Sequence, residues 1–305
     1  MKLSVPQEDL ICNLRYVRQC DYVYSYTEWL DKGITCEIRY NSQFVEQVKN
    51  DLRSVITIYY KLDYSTILNF FNKIRNINKK FILISGCSDY SIESNIFINR
   101  PSNIIKWYGI NINHKDINLI SLPMGSLSGT WIGNSKNNCE IYKHSNFKQV
   151  MINNKKPVIN NLVFMCFSLE TNSKHRTNVY NYFNNKIWVT NLCKYKTNKY
   201  LPDNIFMDNV YNHSFVISPF GNGIDCGRTW MTLQLGSIPL MPYHLAFEDW
   251  ANNLPIILYH DINEITEEYL KKKLEEFKTR TFNYNYLNTN YWKNKWEQDK
   301  KLLVD

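Results

Sequence analysis

Short apolar runs alternate along this chain with stretches whose apolar positions recur every three to four residues. The runs, rich in β-branched and aromatic side chains, predict strands at 55–59, 81–85, 104–108 and 119–122. Helical spacing predicts helices near 8–19, 43–52 and 64–76. From about 126 to 157 the chain is polar and lacks a period, which reads as a linker. The second half is more regular. It predicts strands at 162–167, 186–190, 215–217, 238–241 and 255–259. Helices are expected at 176–183 and 226–235, with a charged one over 264–278. Aromatic residues Tyr286, Trp292 and Trp296 among lysines mark a last helix in the tail 286–305. Such alternation predicts an α/β fold with parallel sheets, right-handed crossovers and helices on both faces.

A chain of 305 residues exceeds the usual size of one domain, so two Rossmann-like domains are expected, 1–150 and 151–305. With 44% hydrophobic and 15% aromatic residues it can fill two cores, which excludes a disordered protein. The net charge of +8 fits a solvated surface rich in Lys and Asn, with a phosphate-bearing partner indicated only near the glycine loop described below. No dense basic run with interleaved aromatics is present, so nucleic acid is not an expected partner. The eight cysteines contain no C-x-x-C pair. Cys87 and Cys166 fall in apolar strands, where free thiols act as small buried hydrophobes, and a secreted disulfide framework is not expected. The N-terminus lacks the apolar region of a signal peptide, and no apolar run approaches the roughly 20 residues that span a bilayer. The expectation is a soluble, cytoplasmic chain without a membrane span.

The segment 213–241 carries most of the chemistry. It reads as strand, glycine-bearing loop (Gly221, Asn222, Gly223), helix and second strand. Glycine has no Cβ, so backbone there can approach a ligand closely. The helix behind the loop offers unpaired N–H groups and a partial positive charge, both suited to a diphosphate. Asp225 is expected to cap that helix. Arg228, in its first turn, can grip phosphate oxygens with two parallel bonds. Tight turns need glycine in many α/β proteins, so the same pattern also fits a purely structural turn. The spacing matches neither G-x-G-x-x-G nor G-x-x-x-x-G-K-[ST].

The segment Ser-Pro-x-Gly-Asn-Gly-x-Asp-Cys-x-Arg-Thr-Trp, followed by Leu-x-Leu-Gly-Ser-Ile-Pro-Leu, resembles the donor-binding segment of exostosin-like glycosyltransferases of the GT-B architecture. Weaker likenesses run upstream in family order at 81–89, 106–111, 122–125 and 167–176, so the resemblance spans roughly 80–260. It implies two Rossmann-like domains facing across a cleft. The first would bind the acceptor and the second a nucleotide-diphosphate sugar, with the tail 286–305 packing back on the first. Ser218, Gly221, Asn222, Gly223, Asp225, Arg228, Thr229 and Met231 are then the donor-binding set. The likeness of Thr-Asn-x-Lys-x-Arg adds Lys174 and Arg176, which follow strand 162–167 where open α/β sheets place ligands. Lys174 equally fits a solvated charge at a helix start. One position departs from the family. Directly after Arg-Thr-Trp such enzymes carry a glutamate expected to bond the donor ribose, and here Met231 stands.

An Asp-x-Asp element that could hold Mn²⁺ or Mg²⁺ against a diphosphate is missing from the sequence, and the six histidines show no zinc-ligand spacing. No metal and no cofactor beyond the co-substrate is expected, so helix dipole, amides and cations must stabilise the leaving diphosphate. An inverting transfer needs a base within reach of the acceptor hydroxyl. Asp89 is the expected base because it follows strand 81–85 at its carboxyl edge. A turn or capping role fits Asp89 as well, and Asp63, Glu93 and His114 are alternatives. His213 and His244 flank the donor segment as structural or base-stacking residues. The expected function is a metal-independent, inverting glycosyltransferase that takes a UDP- or GDP-linked sugar and a glycan or small-molecule acceptor. The alternative is a nucleotide-sugar or glycan-binding module that keeps the fold without turnover, which Met231 favours.

Overall fold

The computed structural model describes residues 10–11, 13–24, 43–126, 161–193 and 201–304. The chain divides into two compact units, Ile11–Asn138 with Thr289–Asp305, and Met1–Leu10 with Cys139–Asn288. The expected linker, apart from residue 126, lies outside the described residues.

In the first unit the elements run α1 (Asn13–Val17), β1 (Tyr22–Tyr24), α2 (Phe44–Asn50), β2 (Val55–Lys61), α3 (Ile67–Ile74), β3 (Lys80–Gly86), β4 (Ile92–Glu93), α4 (Ser94–Ile98), β5 (Ile104–Gly109), β6 (Ile112–Asn113) and β7 (Leu119–Ser121). The second unit contributes β8 (Asn161–Met165), α5 (Ser173–Phe183), β9 (Val189–Asn191), α6 (Asp203–Tyr211), β10 (His213–Ile217), α7 (Gly227–Gln234), β11 (Ile238–Pro242), α8 (Glu248–Asn253), β12 (Ile257–Tyr259) and α9 (Glu267–Thr279). The last helix, α10 (Thr289–Leu302), belongs to the first unit.

The first sheet has the order β1-β2-β3-β5-β7, with every pair parallel. Its strands follow one another in chain order, so right-handed crossovers place their helices on one face. Register confirms this. Tyr24, Tyr60, Ser85 and Gly109 align across the sheet, and this face meets Phe44 of α2, Phe70 and Phe71 of α3, and Phe97 of α4. Gly109 leaves room here for Ile92, because a Cβ would lie 2.1 Å from Cδ1 of Ile92 and force that side chain to shift. The opposite face, with Tyr108, is covered by α10. Trp296 stacks edge-on against Tyr108 and Tyr16. Asp299 accepts bonds from Tyr108 Oη (2.5 Å) and Lys106 Nζ (3.0 Å). Lys300 donates to Asp21 at 2.8 Å, and Asp21 in turn accepts from the Thr57 N–H and hydroxyl.

The second sheet has the order β12-β11-β10-β8-β9, again all parallel. Counted from β8 this is 2-1-3-4-5, in which the chain leaves two adjacent strands, β8 and β10, in opposite directions. Helices therefore cover both faces. Val179 and Phe183 of α5 join Leu270 of α9 in the core beneath Val163, Phe215 and Leu240. On the other side Phe164 meets Phe206 of α6, and Trp230 of α7 packs against Trp250 of α8.

The predicted helix near 8–19 is described only as Asn13–Val17, and the strand expected at 186–190 forms at Val189–Asn191, after a turn in which the Val189 N–H bonds the Lys186 carbonyl. The charged helix begins at Glu267, because the Asp261 side chain closes a capping box with Glu264 and Thr266 caps the next turn. No helix among the described residues is long and apolar enough to cross a membrane.

Candidate functional site

In an open parallel sheet, ligands bind beyond the carboxyl ends of the strands where the order reverses. In the second unit that point lies between β8 and β10, and the residues that follow those strands are Cys166-Phe167-Ser168 and Ser218-Pro219-Phe220. The helices that leave them, α5 and α7, bring Arg176 and Arg228 to the same ring. Each guanidinium carbon lies 5.7 Å from the centroid of Phe167. Neither arginine pairs with a carboxylate among the described residues.

Arg176 is buried. It donates through Nε to the Phe220 carbonyl (2.8 Å) and through Nη1 to the Ser168 carbonyl (3.0 Å). Those bonds tie the two loops together and leave Nη2 without a bonded partner, 3.5 Å from where a Cβ would stand on Gly221. Burial first, and the neighbouring Arg228 charge second, push the Arg176 pKa down from 12.5 to about 10. The pair carries uncompensated positive charge. Arg228 is half-buried, and its Nε and Nη1 are buried without any partner. An unsatisfied buried donor costs about 1–3 kcal/mol. An anion placed there would relieve both costs at once.

The remaining predicted residues divide by role. The Gly221 N–H donates to the Gly223 carbonyl at 3.1 Å, and the Gly221 carbonyl accepts from Asn172 Nδ2 at 3.0 Å, so the glycine loop is closed on itself and tied to α5. Asn172 has φ of 47° and serves as the N-terminal boundary of that helix. Asn222 is exposed, and Gly221 and Gly223 are buried. Ser218 Oγ and Thr229 Oγ1 share a buried bond of 2.8 Å that joins β10 to α7. Lys174 is exposed in the first turn of α5. Met231 is half-buried, three residues after Arg228 on the same face of α7, whereas Thr229, Trp230, Thr232, Leu233 and Gln234 are buried.

The expected cap is corrected. The N-terminal boundary of α7 is Cys226, and no side chain caps it. Asp225, buried, turns aside to accept from Trp230 Nε1 through both oxygens (2.9 and 2.8 Å) and from the Cys226 N–H at 2.7 Å. The indole one turn into the helix competes for the carboxylate and wins, so Asp225 anchors the helix start to its own core.

Two histidines separate as well. His213 is structural: its ring nitrogens contact the Asn209 carbonyl (2.6 Å) and Thr190 Oγ1 (2.8 Å). His244 caps a short 3-10 turn by accepting the Ala246 N–H, and its ring meets Phe220 edge-on. Sequence reasoning missed His175, which stacks on Phe220 at 5.0 Å and keeps Nε2 buried without a partner. Burial and the Arg176 charge lower its pKa below 6.5. It also missed Phe167, whose ring both arginines meet. The segment 167–176 was the available signal, since both residues sit inside it.

Asp89 belongs to the first unit, in the loop after β3. It is exposed and takes no hydrogen-bond partner, so neither a cap nor a turn occupies its carboxylate. Of the alternatives, Asp63 accepts from the Ser65 N–H and hydroxyl, Glu93 accepts from Asn113, and His114 lies 5.4 Å from the Phe97 ring. No group of three or more His, Cys, Asp or Glu side chains is arranged to hold a metal ion among the described residues. No protein-family model matches this chain, and none of the curated proteins matches it.

Proposed function

We propose that this chain is a metal-independent, inverting glycosyltransferase of exostosin-like, GT-B kind, with its two Rossmann-like units facing across a cleft. The observation that carries the reading is the pair of arginines around Phe167 at the strand reversal, with buried N–H groups of Arg228 lacking any partner. A diphosphate is the anion that best matches two adjacent guanidiniums at a helix start. The donor sugar is UDP- or GDP-linked, and Met231 stands where the family's ribose contact would be.

The transfer is a single displacement. The acceptor oxygen bonds the anomeric carbon while the bond from that carbon to the diphosphate oxygen breaks and its electrons stay with the diphosphate. Asp89 takes the acceptor's proton. Arg176 and Arg228 carry the charge that the leaving group gains, the role a metal fills in other transferases. The second reading, a binding module without turnover, is favoured by one observation: Met231 offers only a weak thioether acceptor to a ribose.

The test combines a thermal-shift panel of UDP, GDP, UMP, GMP and nucleosides with donor-turnover assays in EDTA. Diphosphates should stabilise the chain more than monophosphates, and nucleosides least. Turnover should persist in EDTA and fall by ~10²–10⁴-fold in Asp89→Asn. Stabilisation with no turnover on any donor selects the binding module. Absence of any diphosphate effect removes the transferase and the nucleotide-sugar-binding module, and leaves only a glycan-binding one.

A further inference from the structure

At the carboxyl edge of the first sheet, Tyr64 follows β2 and Tyr90 follows β3, adjacent strands whose ends pair Lys61 with Gly86. The two rings stack with centroids 4.5 Å apart and planes tilted by 31°. Both are exposed, Tyr64 by 40% and Tyr90 by 48%. They are also held. The Tyr64 hydroxyl donates to the Ser91 carbonyl at 2.6 Å, and the Tyr90 N–H donates to Ser88 Oγ at 3.1 Å. An aromatic surface that is ordered before anything covers it is preorganised for a flat, partly apolar ligand.

The flanks specify which ligand. Asp63 spends Oδ1 on Ser65 and keeps Oδ2 without a bond, and Asp89 keeps both oxygens. Carboxylates next in sequence to the two rings, with oxygens unused, suit a molecule with an apolar face and donor hydroxyls around its rim, which describes a pyranose. A phosphorylated ligand would meet two like charges. A purely apolar one would strip water from the carboxylates without replacing it.

We propose that Tyr64 and Tyr90, flanked by Asp63 and Asp89, form a binding platform for a neutral pyranose unit of an oligosaccharide. The platform rests on the transferase reading only in identifying that sugar with the acceptor; binding itself requires neither donor nor turnover.

The experiment uses the intact chain on an array of neutral and acidic oligosaccharides built from glucose, galactose, mannose, xylose and N-acetylglucosamine. Saturation transfer from tyrosine ring protons to the bound sugar is then measured on the unmodified protein, and UDP and GDP thermal shifts are run in parallel. At least one neutral oligosaccharide should bind, with transfer to its ring C–H protons. Tyr64→Ala and Tyr90→Ala should each weaken it about tenfold, Tyr90→Phe should retain it, and the nucleotide shifts should not move. The proposal is overturned if no neutral oligosaccharide binds, if acidic ones are preferred, or if binding survives both alanine variants. It is also overturned if those variants abolish the nucleotide shift, because the rings would then serve a base. Nucleotide shifts that persist while no sugar binds leave the donor site standing and remove only this platform.

Discussion

The two sheets are built from the same kind of strand, and they differ in order. In the first, β1, β2, β3, β5 and β7 lie in chain sequence, so the crossovers fall on one face and the other is closed by α10 from the far end of the chain. In the second the order reverses at β8 and β10 and helices cover both faces, which makes the carboxyl edge at the reversal the place where open sheets of this kind bind ligands. Polar side chains follow this difference. The second sheet puts two unpaired-by-acid arginines at its reversal. The first spends its charges on closure, as Lys106 and Tyr108 hold Asp299 and Lys300 holds Asp21. The arginines without an acid thus gather where the strand order reverses, and the charges of the first sheet fasten a helix.

The strongest test of that contrast removes a charge from the reversal. Arg228→Ala deletes the guanidinium whose Nε and Nη1 have no partner. Charge-assisted bonds are worth about 1.5–3 kcal/mol, or roughly ten- to a hundredfold in affinity at 1.4 kcal/mol per decade. Titration calorimetry should show UDP or GDP affinity falling by that factor, with nucleoside affinity nearly constant and the melting temperature unchanged or raised. A large fall in melting temperature without added nucleotide would mean that Arg228 is a structural residue after all.

Removing a charge from the first sheet should act on stability instead. Burial raises the Asp21 pKa, but the Lys300 ammonium and the bonds from Thr57 outweigh it and hold the carboxyl below its ordinary 3.8. A carboxylate with a depressed folded pKa contributes stability above its unfolded value and loses it as pH falls through the folded one. Lys300→Met should therefore cost about 1–3 kcal/mol near neutral pH, the range for removing one partner of a largely buried group, since Asp21 keeps its bonds to Thr57 and Arg53. Urea unfolding repeated at steps below pH 3.8 should show the gap between variant and parent closing. A gap that stays constant to low pH would show that α10 is held by Trp292 and Trp296 rather than by the ion pair.

How much of this contrast could be read from the sequence depends on which residues make it. Apolar runs such as 81–85 and 104–108 located central strands because, Ser85 and Lys106 apart, their positions are apolar or aromatic and most are buried. Tyr22–Tyr24 escaped because three residues carry no period, and its place was fixed by Asp21 reaching Thr57 across the sheet. The helices α4, α6 and α8 were missed because they are short or, like Asp203–Tyr211, weakly amphipathic. At the candidate site the chain spelled out Gly221, Arg228 and Arg176, since turn chemistry and charge are local signals. It could not show that Asp225 bonds Trp230 rather than capping α7, nor that Phe167 meets two arginines 52 residues apart. Those facts depend on tertiary packing.

The smallest expected effect belongs to Met231, and it tests whether the outer face of α7 belongs to the candidate site or to the core. Met231 shares that face with Arg228 and is half-buried, while its neighbours Trp230 and Thr232 are buried. Glutamate placed there would keep its charge near water and three residues from a cation that lacks an acid. Pairing of this kind within a helix contributes about 0.2–0.5 kcal/mol. Met231→Glu should therefore fold with a melting temperature close to the parent's. Its effect on nucleotides has two opposing parts: a carboxylate can accept bonds from ribose hydroxyls, and it also competes with a diphosphate for Arg228. Comparing uridine or guanosine with the matching diphosphate separates them. Nucleoside affinity should rise and diphosphate affinity should change less, because only the second ligand loses part of its cation. If instead the melting temperature collapses, the glutamate has been forced into a packed interior, where an unpaired charge costs several kcal/mol. Met231 would then belong to the core, and the ribose would have to be sought elsewhere along the edge formed by Phe220, His175 and His244.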